Sequence, residues 1–203
     1  MTKKCENSSL YESLEWCDGR TTLPGIRQRV YFIPKSEIVE WPKLPSIKEA
    51  KAMADLATYQ GNFILAADKK WRSLDALDAK SNVTAESQGE KPSRTSLNKS
   101  TLKHAGTDEE ATGFARQANI DNIVYLVQQR NKKFRVIGSD EFDADTKASQ
   151  ALGEGYTGEA GTTLEVEATD VCPAPFYPGK IETEDGDISG VDGSAWEEDV
   201  PAQ

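Results

Sequence analysis

The chain carries one histidine and three cysteines, and that scarcity decides which chemistries are open to it. Nucleophilic catalysis needs a base within reach of an activated Ser or Cys. His104 is the sole general base of the usual kind, and it stands in Lys103-His104-Ala105-Gly106 with no G-x-S-x-G or cysteine-centred motif anywhere. It reads as a strand-end histidine, and neither a catalytic residue nor enzymatic activity is expected. Cys5, Cys17 and Cys172 lack C-x-x-C spacing and lie far from His104 in sequence, which argues against structural zinc. Free thiols in a reducing compartment are the simpler account, with a Cys5–Cys17 bridge as the alternative in an oxidising one.

Acidic side chains are the other chemical resource. Asp140-Glu141-Phe142-Asp143-Ala144-Asp145 offers hard oxygen ligands, but the loop glycine and closing glutamate of a calcium-binding hand are missing. It reads as an exposed acidic turn. Carboxylate pairs for glycoside chemistry abound among 34 acids, yet no spacing selects one. The glycine-rich stretch Gly153–Gly161 has no following Lys and no helix pattern after it, so it is poorly matched to a phosphate site. Metal and cofactor are expected to be absent.

Net charge is −10 over 203 residues. Residues 181–203 hold eight acids and no Lys or Arg, leaving 24 bases against 26 acids, a net of −2, in the first 180. A near-neutral body with an acidic extension has no field to hold a polyanion, so free nucleic acid is not an expected ligand. Asp185-Gly186-Asp187 and Asp192-Gly193-Ser194 fit a solvated, mobile acidic tail. The longest apolar runs, Val30–Ile33 and Phe63–Ala67, fall far short of the roughly 20 residues that a membrane helix needs. The polar start Met1–Asn7 carries no secretory apolar region, so the chain is expected to stay inside the cell that makes it.

Three regions follow: an arm (1–24), a β-rich domain (25–180) and the acidic tail (181–203). In the arm, Leu10, Tyr11 and Leu14 suggest a short helix over Ser8–Trp16, and Trp16 is costly to leave in water, so the arm is expected to dock, on a neighbouring copy above all. Ile26–Ile33 predicts a strand stopped by Pro34. Trp41-Pro42 and Leu44-Pro45 keep residues 38–45 extended and irregular, and the alanines of Ser46–Tyr59 favour a helix, with an extended connection as the alternative. Phe63–Ala66 predicts a strand; Trp71–Leu77 is an apolar segment of undecided type.

Ser81–Gly106 alternates weakly through Val83, Ala85, Leu97 and Leu102, with turn composition at Gly89-Glu90-Lys91-Pro92-Ser93. It reads as two long, thinly hydrophobic strands, a disordered loop being the alternative. Strands with so little to bury need partner strands, and those can come from the next subunit. The candidate interface residues are therefore Val83, Glu86, Gly89, Glu90, Lys91, Arg94, Leu97 and Leu102, with Tyr11 and Trp16 from the arm. Thr107, followed by three acids, starts a helix through Ala118, capped by Thr107 and ended by Asn119 or Asn122. Ile123–Gln128 and Phe134–Gly138 form a hairpin at the centre of the core. Thr162–Ala168 alternates as a half-exposed strand does.

Four stretches together resemble bacteriophage tail-tube (major tail) proteins. They are Val83-Thr84-Ala85-Glu86-Ser87-Gln88-Gly89-Glu90-Lys91-Pro92; Gly113-Phe114-Ala115-Arg116; Val124-Tyr125-Leu126-Val127-Gln128 with Phe134-Arg135-Val136-Ile137-Gly138; and Ala174-Pro175-Phe176-Tyr177. The likeness spans roughly residues 25–180 and departs from the family in the acidic tail and in the Pro-rich 34–45 segment. It implies a mainly β protein with one flanking α-helix, an antiparallel β-sandwich or barrel of tail-tube type. It also implies a virion subunit, present in the host bacterial cytoplasm during assembly. Its partners would be itself, in hexameric rings stacked into a tube, and other tail proteins, with DNA passing unbound. Six copies would place roughly −60 charges around a ring, repelling DNA at short range and screened beyond about 8 Å. A capsid decoration or head-to-tail connector protein is one alternative. A carbohydrate-binding β-sandwich is the other, for which Trp41, Trp71 and Tyr156 would supply stacking surfaces.

Overall fold

The structure, a computed structural model, describes residues 9–19 and 21–197. Two antiparallel sheets form a β-sandwich with one α-helix. The five-stranded sheet contains β1 (Ile26–Pro34), β4 (Arg72–Asp75), β7 (Ile123–Gln129), β8 (Phe134–Ile137) and β11 (Phe176–Tyr177), in the order β11-β8-β7-β1-β4. The four-stranded sheet contains β5 (Asn82–Gln88), β6 (Thr95–His104), β9 (Ala144–Ala151) and β10 (Gly161–Asp170), in the order β5-β6-β10-β9. Two small ribbons pair β2 (Ile38–Glu40) with β3 (Ile64–Leu65) and β12 (Lys180–Thr183) with β13 (Gly186–Ser189).

The burial of β7 explains its sequence. Tyr125 and Val127 face the interior between the sheets, beside Leu102, Leu164, Val166 and Ile137. Val124 and Leu126 face a second core with Ile33, Phe63, Trp71, Phe134, Tyr177 and Ile181. A strand covered on both sides needs apolar residues at consecutive positions, which Ile123–Val127 supplies. By contrast β10 has one wet face, so Leu164, Val166 and Ala168 are buried while Glu165 and Glu167 are exposed. Full burial of each such aliphatic side chain contributes about 1.5–3 kcal/mol.

Helix α1 (Glu109–Ala118) packs on β9 and β10 through Ala111, Ala115 and Ala118, and Phe114 meets Phe32 edge to face at 4.9 Å. Its cap is Asp108, whose Oδ1 accepts the Ala111 N–H at 2.9 Å, where Thr107 was expected. A charged carboxylate, a stronger acceptor that also faces the dipole's positive end, takes the position one residue on.

Three other expectations are corrected, and one strand that the sequence leaves unmarked is added. Residues 9–16 form no helix: a strip of three apolar residues is too short to bury a helical face, and a short helix does not stand alone in water. Ser8 and Cys5 lie outside the described residues. Within Ser46–Tyr59 only a short 3-10 turn, Met53–Ala57, forms among the helical types; Tyr59 is anchored in the second core and Ala50 is buried separately, without a continuous helical stripe. Strand β9, unmarked in sequence because Ala144, Thr146 and Ala148 are its whole inner face, exists by pairing along the length of β10. Finally, the tail as far as residue 197 is folded rather than mobile. Ile181 is fully buried, the Trp71 N–H donates to the Glu182 carbonyl at 2.8 Å, and Lys180 pairs with Glu182 at 3.0 Å and Asp187 at 2.8 Å. One apolar residue seated against Trp71 anchors a hairpin whose composition otherwise reads as tail.

Candidate functional site

The paired ribbon β5–β6 joins residue for residue from Asn82↔Thr101 to Gln88↔Thr95. Its turn holds Gly89 at φ +75°, a left-handed conformation that glycine adopts without strain, and the Gly89 carbonyl accepts from Arg94 Nε at 3.4 Å. Glu90, Lys91 and Arg94 are exposed around it. Strand β6 finds its second partner within the chain, in β10, by nine consecutive residue pairs. Among the described residues β5 pairs with β6 alone, which leaves its other edge free.

That register sorts the interface candidates. Leu102 is corrected: it lies opposite Leu164 and is fully buried, so it is core rather than interface. Val83 is half-buried against the same core. Glu86 and half-buried Leu97 are paired partners on the outer face. On that face one row runs Thr84, Lys99, Glu167, Asp145 and the next Asn82, Thr101, Glu165, Lys147. Lys99 Nζ sits 2.6 Å from Glu86 and 3.7 Å from Glu167, and hydrogen bonding to Glu86 raises its pKa. Across β5, β6, β10 and β9 the outer face carries Lys99, Lys103 and Lys147 against Glu86, Glu165, Glu167 and Asp145, a wall of mixed charge with no apolar patch.

The two edges differ. On β5 even the inward positions Ala85 and Ser87 are exposed, so the strand overhangs the core with both faces wet. On β9 the helix blunts part of the edge: the Ala148 N–H donates to Asn119 Oδ1 at 2.8 Å, a common way of protecting an edge. In the arm, Tyr11 is 93%, Leu14 88% and Trp16 67% exposed, and the residues beside Tyr11 approach Ile47, Met53 and Leu56.

The remaining chemistry candidates are accounted for locally. His104 Nδ1 lies 2.7 Å from the Asp75 carbonyl, which accepts from it. Its Nε2 lies so close to Gly106 that a Cβ there would stand 2.7 Å away, so glycine permits this packing. Asp143 pairs with Lys35 at 2.9 Å and Asp145 with Lys147 at 3.1 Å. Among the described residues no three His, Cys, Asp or Glu side chains are grouped to hold a metal ion, and no helix is long and apolar enough to cross a membrane. Cys172 is half-buried and burial pushes its thiol up to about 12, far from the reactive thiolate range. Of the three stacking candidates, Trp71 is 1% exposed and belongs to the second core, Trp41 packs against it, and Tyr156 stands alone in solvent. They form no common surface.

No protein-family model, curated protein or solved structure matches this chain.

Proposed function

We propose that this protein is a structural subunit of the tail-tube kind, whose copies join through the edges of the four-stranded sheet into rings that stack around a passage for DNA. The observation that carries this reading is the long, uncovered edge of β5 in a sheet of even strand number. In an antiparallel sheet of four strands the two edge strands run in opposite directions. Copies related by rotation about an axis along the strands therefore present β5 of one to β9 of the next in antiparallel sense at every junction, and the series closes without a leftover edge. The flanking stretches of β9 beside Asn119 supply the other half of that junction.

The polar outer face fits the inside of such a ring. With three bases interleaved among four acids it offers phosphate no continuous cationic track, so DNA slides past it without being held. The exposed Tyr11, Leu14 and Trp16 of the arm supply apolar contacts that a single copy leaves unused, suited to an adjoining ring.

Electron microscopy and sedimentation of the full chain over a wide concentration range test this. Rings or tubes are expected. Deletion of Glu90–Arg94 is expected to impair them while leaving a folded monomer. A chain that stays monomeric at every concentration and with virion components present overturns the reading.

A further inference from the structure

A cavity of about 410 Å³ opens beside the end of β10, bounded by Trp41, Tyr59 and Phe142 and by the acids Asp140, Glu141 and Asp170. Asp170 is set in it by strand alternation. It follows Val166 and Ala168 on the inward face of β10 and is paired opposite buried Ser96. Only 3% of the residue is exposed; Oδ1 accepts the Val171 N–H at 2.6 Å, and Oδ2 has no hydrogen-bond partner among the described residues.

Nothing described on the chain balances this charge. Lys43 also lines the cavity, but its ammonium is engaged by Glu49, and Lys35 is engaged by Asp143 and the Asp140 carbonyl. Asp140, Glu141 and Asp170 form no ion pair among the described residues. The wall responds to the same surroundings: burial first, then the nearby Asp170, push the Tyr59 phenol up. A buried carboxylate without a partner is costly, and aromatic faces next to carboxylates attract an ammonium or guanidinium group. We propose that this cavity binds an organic cation, an alkylammonium or guanidinium group, seated against Trp41 and Phe142 with its charge balanced by Asp170 and the rim acids. The same chemistry is presented by a free amine and by a Lys or Arg side chain of another chain. The proposal is independent of ring assembly.

The test is calorimetric titration of the full chain with n-butylammonium chloride, against NaCl at equal ionic strength and against neutral n-butanol. Saturable binding of the ammonium alone is expected. Asp170→Asn should weaken it at least about ten-fold, and the exposed pair Asp140→Asn/Glu141→Gln should weaken it without disturbing the buried strand end. Asp143→Asn, whose carboxylate already serves Lys35, should leave it unchanged. Sedimentation at saturating butylammonium identifies the source: dispersal of self-associated chain marks a basic side chain of another copy as the usual occupant, and no dispersal marks a free cation. Absence of saturable binding, or equal binding by wild type, Asp170→Asn and the double variant, overturns the proposal.

Discussion

Leu102 and Leu164 face each other across β6 and β10, and neither reaches solvent. This pair closes the interior between the sheets at the strand that composition marks as most in need of outside partners. Leu102→Ala should therefore lower the stability of the single chain by about 2–5 kcal/mol, measured by chemical denaturation of dilute protein. A loss of assembly with unchanged monomer stability would place Leu102 back at an interface.

Lys99 behaves differently. It bridges Glu86 and Glu167 on a wet face, with all three side chains about half exposed. Exposed pairs contribute little, so Lys99→Gln should leave stability nearly unchanged, the small difference shrinking at high salt. Thermal melts at low and high ionic strength check this.

Glu37 ties the start of β2 to β4. Its carboxylate takes Arg72 in two hydrogen bonds, 3.0 and 3.2 Å, and Lys69 at 3.3 Å. The Arg72 bond holds its pKa below the ordinary 4.5. A depressed carboxylate stabilises the fold above its unfolded pKa and loses that contribution as pH falls through the folded value. Glu37→Gln should cost about 1 kcal/mol at neutral pH, and the difference from wild type should vanish in acid denaturation curves taken below the folded pKa.

Asp170 has the opposite sign. Burial raises its pKa from 3.8 to about 6. The charged form is disfavoured in the folded state, so the penalty is absent below the unfolded pKa and complete above about 6. The stability of wild type relative to Asp170→Asn should rise as pH is lowered from 7.5 to 4, by about 2 kcal/mol. Paired urea titrations across that range check it, and a flat difference would show that Tyr59, Cys172 and their neighbours leave the carboxyl at its ordinary pKa.

Trp71 is a core residue by the same measure. Trp71→Ala should cost about 3–5 kcal/mol and loosen the β12–β13 hairpin, whose Ile181 shares the buried cluster that the indole fills. Limited proteolysis within residues 180–197 is the readout.

Local pattern by itself determined the strands with a strong period or an unbroken apolar run, the acid-led helix and the hairpin Ile123–Gly138, because their burial follows from which neighbours alternate. It also determined the β5–β6 ribbon and its glycine turn, since turn chemistry is local. Tertiary structure alone decided the rest. Only pairing with β10 makes a strand of Ala144–Ala151, whose own residues bury almost nothing large. Only the seat beside Trp71 makes Ile181 the anchor of a folded hairpin in a run of acids. Only the sandwich turns Asp170, one of 34 acids, into a carboxylate that is almost wholly buried, with one oxygen held by the Val171 N–H and the other left unsatisfied. Depth and partnership belong to segments distant along the chain, and a charge takes its meaning from what surrounds it in space.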